Sequence, residues 1–250
     1  MMNFRSPLSY KFLIILFALF FSLFLIVNLP VSLIGKELNK NGVYFSDQYG
    51  TFWHGQFGQV LIMNTRWQSL ALKPSFLSLF GQGLTFDFIL KSADRLLQGK
   101  STIQDDYLIL NNVTIRSDII YKQNGRSLNS TIGLEANEIV LEKNGQCQGG
   151  EFNIEMDFLN QFSDLMNIDF PLMKGTGVCQ NGIVSINMGA AQNGIKASYL
   201  GEFVKNKQSG LLSIKLPAIM EENNQMTNIL QQFGFEKTRD QWQANMEIGL

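Results

Sequence analysis

The stretch "LTFDFIL", Leu84 to Leu90, puts Leu84, Phe86 and Phe88 on one side of an extended chain and Thr85, Asp87 and Ile89 on the other. Successive side chains of a strand point to opposite faces, so this alternation builds a half-buried strand. "IVSINM", Ile183 to Met188, repeats it, with Ile183, Ser185 and Asn187 against Val184, Ile186 and Met188. The terminal "WQANMEIGL" sets Trp242, Ala244, Met246, Ile248 and Leu250 on one face and Gln243, Asn245 and Glu247 on the other. Turn clusters punctuate the chain: "QGK" at Gln98, "KQNGRS" at Lys122, "KNGQ" at Lys143, "QNG" at Gln180 and Gln192, and "KQSG" at Lys207. Their spacing suits antiparallel hairpins. The fold class is mainly β: an antiparallel, strongly curved sheet, either an open groove or a sandwich, with two or three short helices.

The helices come from stretches where the apolar spacing changes. Phe158, Leu159, Phe162, Leu165 and Met166 share a helical face that must end before Pro171, and Met226, Ile229, Leu230 and Phe233 do the same before Gly234. "PSFLSLFG" after Pro74 is a third, shorter apolar turn.

Another helix precedes all of these. "FLIILFALFFSLFLIVNLPVSLI", Phe12 to Ile34, carries no charge. About 23 residues give roughly 35 Å at 1.5 Å per residue, enough for a hydrocarbon core about 30 Å thick. Arg5 and Lys11 precede it without an acidic residue, which keeps residues 1–11 cytoplasmic under the positive-inside rule. A cleaved signal peptide would need a shorter apolar core and a small-x-small site, and the run of Phe, Leu and Ile favours an uncleaved anchor. The expected organisation is a cytoplasmic 1–11, a transmembrane helix 12–34 and a periplasmic β-rich domain 36–250, held in the cell inner membrane as a single-pass protein.

Charge excludes one class of partner. The net charge is −1 and no block of five like charges occurs, so the electrostatic footprint of nucleic-acid binding is missing. Cys147 and Cys179 are the only cysteines, and they head the similar tetrapeptides "CQGG" and "CQNG". A disulfide between them is the economical reading for an exported domain, with two buried thiols as the alternative. Two thiols and one distant histidine do not make a four-ligand zinc site.

Catalytic chemistry is not visible. His54 is the only histidine, so no Ser-His-Asp or Cys-His arrangement can be assembled. The adjacent carboxylates Asp105 and Asp106, and Glu221 and Glu222, read as solvated turns and helix starts. No enzyme activity and no cofactor are expected. Read as a strand, "GTFWHG", Gly50 to Gly55, puts Thr51, Trp53 and Gly55 on one face and Phe52 and His54 on the other, so Trp53 would bury its ring against the sheet.

The order "GTFWHG", then "RWQSLALKPSFL" (Arg66 to Leu77), resembles the opening of the type II secretion system protein N family, also called general secretion pathway protein N. Gly50, Thr51, Trp53 and Gly55 match its first element, with Phe52 where Leu or Val is commoner, and Trp67 and Pro74 match its second. "GTGVCQNG", "SYLGEF" and "ILQQFGF" follow in the family's order before the terminal strand. The resemblance implies an accessory bitopic inner-membrane component of the machine that exports folded proteins, acting through contacts with other secretion-system envelope components. The apolar strand faces raise an alternative from another class: an anchored periplasmic groove that binds or transfers lipid.

Overall fold

The computed structural model describes residues 10–62, 64–76, 83–104, 106–123, 126–142, 144–160, 163, 169–204, 207–222 and 224–246. Two helices open the chain, α1 (Tyr10–Val27) and α2 (Ser32–Lys40). Then come β1 (Val43–Tyr44), β2 (Asp47–Thr51), β3 (His54–Ile62), β4 (Thr65–Pro74), β5 (Leu84–Lys91), β6 (Arg95–Gln104), β7 (Tyr107–Gln123), β8 (Arg126–Glu142), β9 (Cys147–Met156), β10 (Met173–Gln180), β11 (Ile183–Gln192), β12 (Ile195–Val204) and β13 (Lys207–Lys215). Helices α3 (Ala218–Glu221) and α4 (Asn224–Gln232) precede β14 (Glu236–Thr238) and β15 (Gln241–Met246).

All 15 strands join one antiparallel sheet in the order β1-β3-β4 onward to β13-β15-β14, with β2 also on β3. Among the described residues there is no second sheet, so of the two architectures expected the open sheet holds and the sandwich does not. Asn181–Gly182 and Asn193–Gly194 close two-residue hairpins with positive φ at both positions, as a type I′ turn requires. Two other turn assignments are corrected. Gln98 to Lys100 lies inside β6, where the register against β7 shifts and makes a bulge. Lys207 to Gly210 already belongs to β13, since Val204 pairs with Lys207 across the preceding turn.

Register gives the sheet one apolar face. Phe57, Leu70, Leu90, Leu97, Ile115, Leu134 and Ile154 are successive cross-strand partners from β3 to β9. Gly175, Met188, Tyr199, Leu212 and Ala244 carry the row on to β15. The other face is mixed; Lys73, Asp87 and Lys100 form one polar row there, whereas the row Glu135, Asn153, Thr176 and Asn187 runs on into Leu200 and Leu211, and Ile89, Val178 and Ile183 are exposed on the same face.

Cover on the apolar face is concentrated at the two ends. At the first end α2 lays Ile34 and Leu38 on a cluster built from Val31, Phe57, Val60, Leu70, Leu72, Phe88 and Leu90. At the far end Phe158, Leu159 and Phe170 from the β9–β10 connection, with Leu230, Phe233 and Phe235 from α4 and its exit, bury Tyr199, Leu212, Ile214 and Trp242. Each such large side chain removed from water contributes about 1.5–3 kcal/mol. Helix α4 confirms the helical spacing expected before Gly234. It ends in a Schellman arrangement, with Phe235 N–H donating to Leu230 O at 3.0 Å and Gly234 at φ 80°. Phe162, Leu165 and Met166 of the other expected helix, and residues 77–82 after Pro74, lie outside the described residues, as do Ile248 and Leu250 and the side chain of Met246.

The uncharged run 12–34 is not one helix. α1 stops at Val27, Asn28 turns back with both its backbone and side-chain nitrogens on Phe24 O, and α2 starts at Ser32 beyond Pro30. Proline has no N–H to continue the helical ladder, and the residue before it is pushed toward extended backbone. Among the described residues no helix is long and apolar enough to cross a membrane. The 18 residues of α1 rise about 27 Å. Every large side chain from Phe12 to Val27 is exposed.

Candidate functional site

The residues of "GTFWHG" converge on one place, the joint where α1 ends and the sheet begins. They do not form a continuous strand. Thr51 pairs with His54 and Gly50 with Gly55, so Phe52 and Trp53 are the two residues of a tight hairpin turn between β2 and β3. Composition hid this, because neither aromatic carries a turn signature. Gly50 takes φ 93°, and a side chain there would drive into the His54 carbonyl oxygen.

The tip is bonded to the end of α1. Trp53 Nε1 donates to Ile26 O at 2.8 Å, and Phe52 N–H donates to Leu29 O at 2.8 Å. Pro30 bridges to Thr51, and Val31 enters the first core cluster 6% exposed. The last carbonyls of a helix have no intrahelical partner; here an indole from the sheet takes one. Gly55 permits the approach, since a Cβ there would lie 2.9 Å from Val31 Cγ2. Trp53 is therefore half-buried at a helix end, not a core anchor. The ring buried in that neighbourhood is Phe57, 1% exposed and 4.8 Å from the Phe45 ring. Phe52 meets Trp53 edge-on at 5.1 Å, and Phe76 lies 5.6 Å from Trp53.

Trp67 and Pro74 flank this joint along β4. Trp67 is half-buried opposite Val60, with the Arg95 guanidinium 5.2 Å from its ring, a cation–π distance. Pro74 is buried as the last residue of β4, opposite Phe86.

Cys147 and Cys179 form a disulfide with Cα atoms 5.9 Å apart and a sequence separation of 32. One begins β9 and the other nearly ends β10, as their shared tetrapeptide context suggested. The bond ties the hairpin at the end opposite its connecting segment. Trp242 and Ala244 of the terminal strand are 2% and 3% exposed in the far cluster, between β13 and β14.

His54 is exposed on the hairpin, next to the tip. Among the described residues no three His, Cys, Asp or Glu side chains gather as a metal site would require. Two buried polar atoms in the far cluster, Tyr199 Oη and Trp242 Nε1, have no hydrogen-bond partner among the described residues. Burial pushes the Tyr199 hydroxyl above its ordinary pKa. Tyr199 lies over Gly201 and Gly210, whose missing side chains leave room for its ring.

The middle of the apolar face differs from its ends. Leu97, Leu110, Ile115, Ile132, Leu134 and Ile139 are only partly buried. Leu97 and Leu110 touch both clusters, so the apolar surface runs unbroken from the joint to the far core. No family model, curated protein or solved structure matches the chain.

Proposed function

We propose that this is a bitopic inner-membrane protein, anchored through the uncharged run 12–34 of which α1 forms only part, that serves the type II secretion envelope machinery as an accessory component through periplasmic protein contacts. The observation that carries the reading is the joint: Gly50, Thr51, Trp53 and Gly55, the residues by which the chain resembles the secretion protein N family, all work where the apolar helix meets the sheet. A helix apolar on every side needs an apolar surround, and every large side chain from Phe12 to Val27 is exposed. The Cys147–Cys179 bond supports an oxidising compartment. The direct test is loss of the protein from a cell that secretes through this machinery: folded exoproteins are expected to accumulate in the periplasm. Unchanged secretion, with no crosslink to any secretion component, refutes the proposal.

A second reading is favoured by the partly buried middle of the sheet. The continuous apolar face through Leu97, Ile115 and Leu134 would shelter acyl chains, making the domain a lipid-binding groove. A photo-crosslinking residue at Ile115 or Leu134 is expected to trap lipid in cells if this is right. Adducts to protein alone, or none, count against it.

A further inference from the structure

We infer that the β2–β3 hairpin tip is itself a membrane-contact surface: Phe52 and Trp53, with Phe76 and Leu33, form a collar that sits in the headgroup region of the bilayer around the end of α1. The inference rests on the anchoring proposed above. Turn tips are ordinarily built from Gly, Asn, Asp, Ser and Pro, which solvate well or supply the dihedrals. Here a phenylalanine and a tryptophan occupy the two turn positions, neither is fully buried, and Phe76 beside them is 53% exposed. Leu33, in the first turn of α2, is 46% exposed.

Position gives the cluster a partner. The tip is hydrogen-bonded to Ile26 and Leu29, so it cannot lie more than a few residues beyond the last residue of α1. Two or three residues correspond to about 3–5 Å of helix rise. The polar zone of a bilayer adds roughly 5–7 Å beyond each side of the hydrocarbon. If α1 occupies hydrocarbon to Val27, the collar falls inside that zone. An indole suits it, with its ring among the upper acyl chains and its N–H satisfied, here by the Ile26 carbonyl. The chemistry recognised is the lipid interface, and the contact would orient the first strands against the membrane surface.

The test uses the full chain reconstituted in phosphatidylcholine vesicles containing lipids brominated near the carbonyl end or near the acyl terminus. The protein has three tryptophans, and of these only Trp53 is expected to meet bromine. Shallow bromines should quench about a third of the emission, deep ones less. Trp53→Phe should abolish the quenching. Phe76→Trp adds a second collar fluorophore without removing one and should raise the quenched share to about half. If the protein floats with the vesicles but wild type and Trp53→Phe are quenched alike, and Phe76→Trp adds nothing, the collar is refuted while the anchor stands. If the protein does not float with vesicles at all, the anchoring reading fails, and the collar with it.

Discussion

Removing the Cys147–Cys179 bond opens a ring that contains more than two paired strands. β9 and β10 run antiparallel, their connection spans residues 157–172, and the disulfide closes the other end. Inside the ring lie Phe158, Leu159, Phe170 and Met173, all at most 5% exposed, which hold part of the cover over the far cluster. For a separation of 32 residues the chain-entropy relation gives about 3.7 kcal/mol at 25 °C. A chain of this length shifts its melting temperature by about 2–4 °C per kcal/mol, so the loss should be about 7–15 °C. The assay is a thermal melt of the full chain in detergent followed by circular dichroism, comparing oxidised protein, reduced protein and a Cys147→Ser/Cys179→Ser variant. Amide exchange should rise first at 157–160. If the three melts coincide and residues 157–160 exchange alike, the ring does not constrain the cover and the reasoning fails. Free thiols in protein taken directly from the envelope would refute the bond itself.

Other consequences can be checked on the same preparation. Phe57→Ala should cost about 3–5 kcal/mol in a chemical melt, whereas Trp53→Ala should cost clearly less because its ring is only half-buried; the opposite ranking would restore Trp53 as a core anchor. Tyr199→Phe removes a buried hydroxyl without a partner among the described residues and should stabilise by about 1 kcal/mol. Because burial raises the Tyr199 pKa, the native state holds that proton longer than the unfolded chain does. Its contribution is fully present below the unfolded value near pH 10 and is lost as pH climbs through the folded one, so the Phe variant should resist alkaline unfolding better. Deleting Asp240 to Leu250 removes Trp242 and Ala244 and unpairs β13 and β14, so the product should aggregate; a soluble, equally stable truncation that has lost an envelope contact would make β15 a docking edge.

Much of the sheet was legible because its core face is apolar on strand after strand. Phe86, Phe88, Val184, Ile186, Met188, Trp242 and Ala244 all lie on the face their alternation implied, and Asn-Gly marked two hairpins correctly. Gly99 misled because a bulge and a turn both use glycine, and only the facing strand, where Asn112 takes φ 49°, tells them apart. The joint was less legible still. Its bonds run to the carbonyls of Ile26 and Leu29, and a backbone acceptor looks the same at every residue. Pro30 was noticed as a helix breaker, but nothing local says that the broken end will be met by a hairpin about 25 residues later.

The nearly sequential order of the sheet bears on how the chain can fold while it is being delivered. From β3 to β13 each strand pairs with the one made just before it, so most new pairs close a short loop, the 157–172 connection between β9 and β10 being a long one. A chain emerging amino-terminus first can therefore add strands one at a time to a finished edge, much as a repeat array grows. The far core is the exception. Leu230, Phe233, Phe235 and Trp242, which cover it, are translated after all of those strands, so a growing chain shows an open apolar surface on β9 to β13 until they arrive. Chains arrested after β9 should already protect β3 to β8 from proteolysis, whereas chains arrested after β13 should bind hydrophobic dyes strongly and lose that binding once residues 218–246 are added.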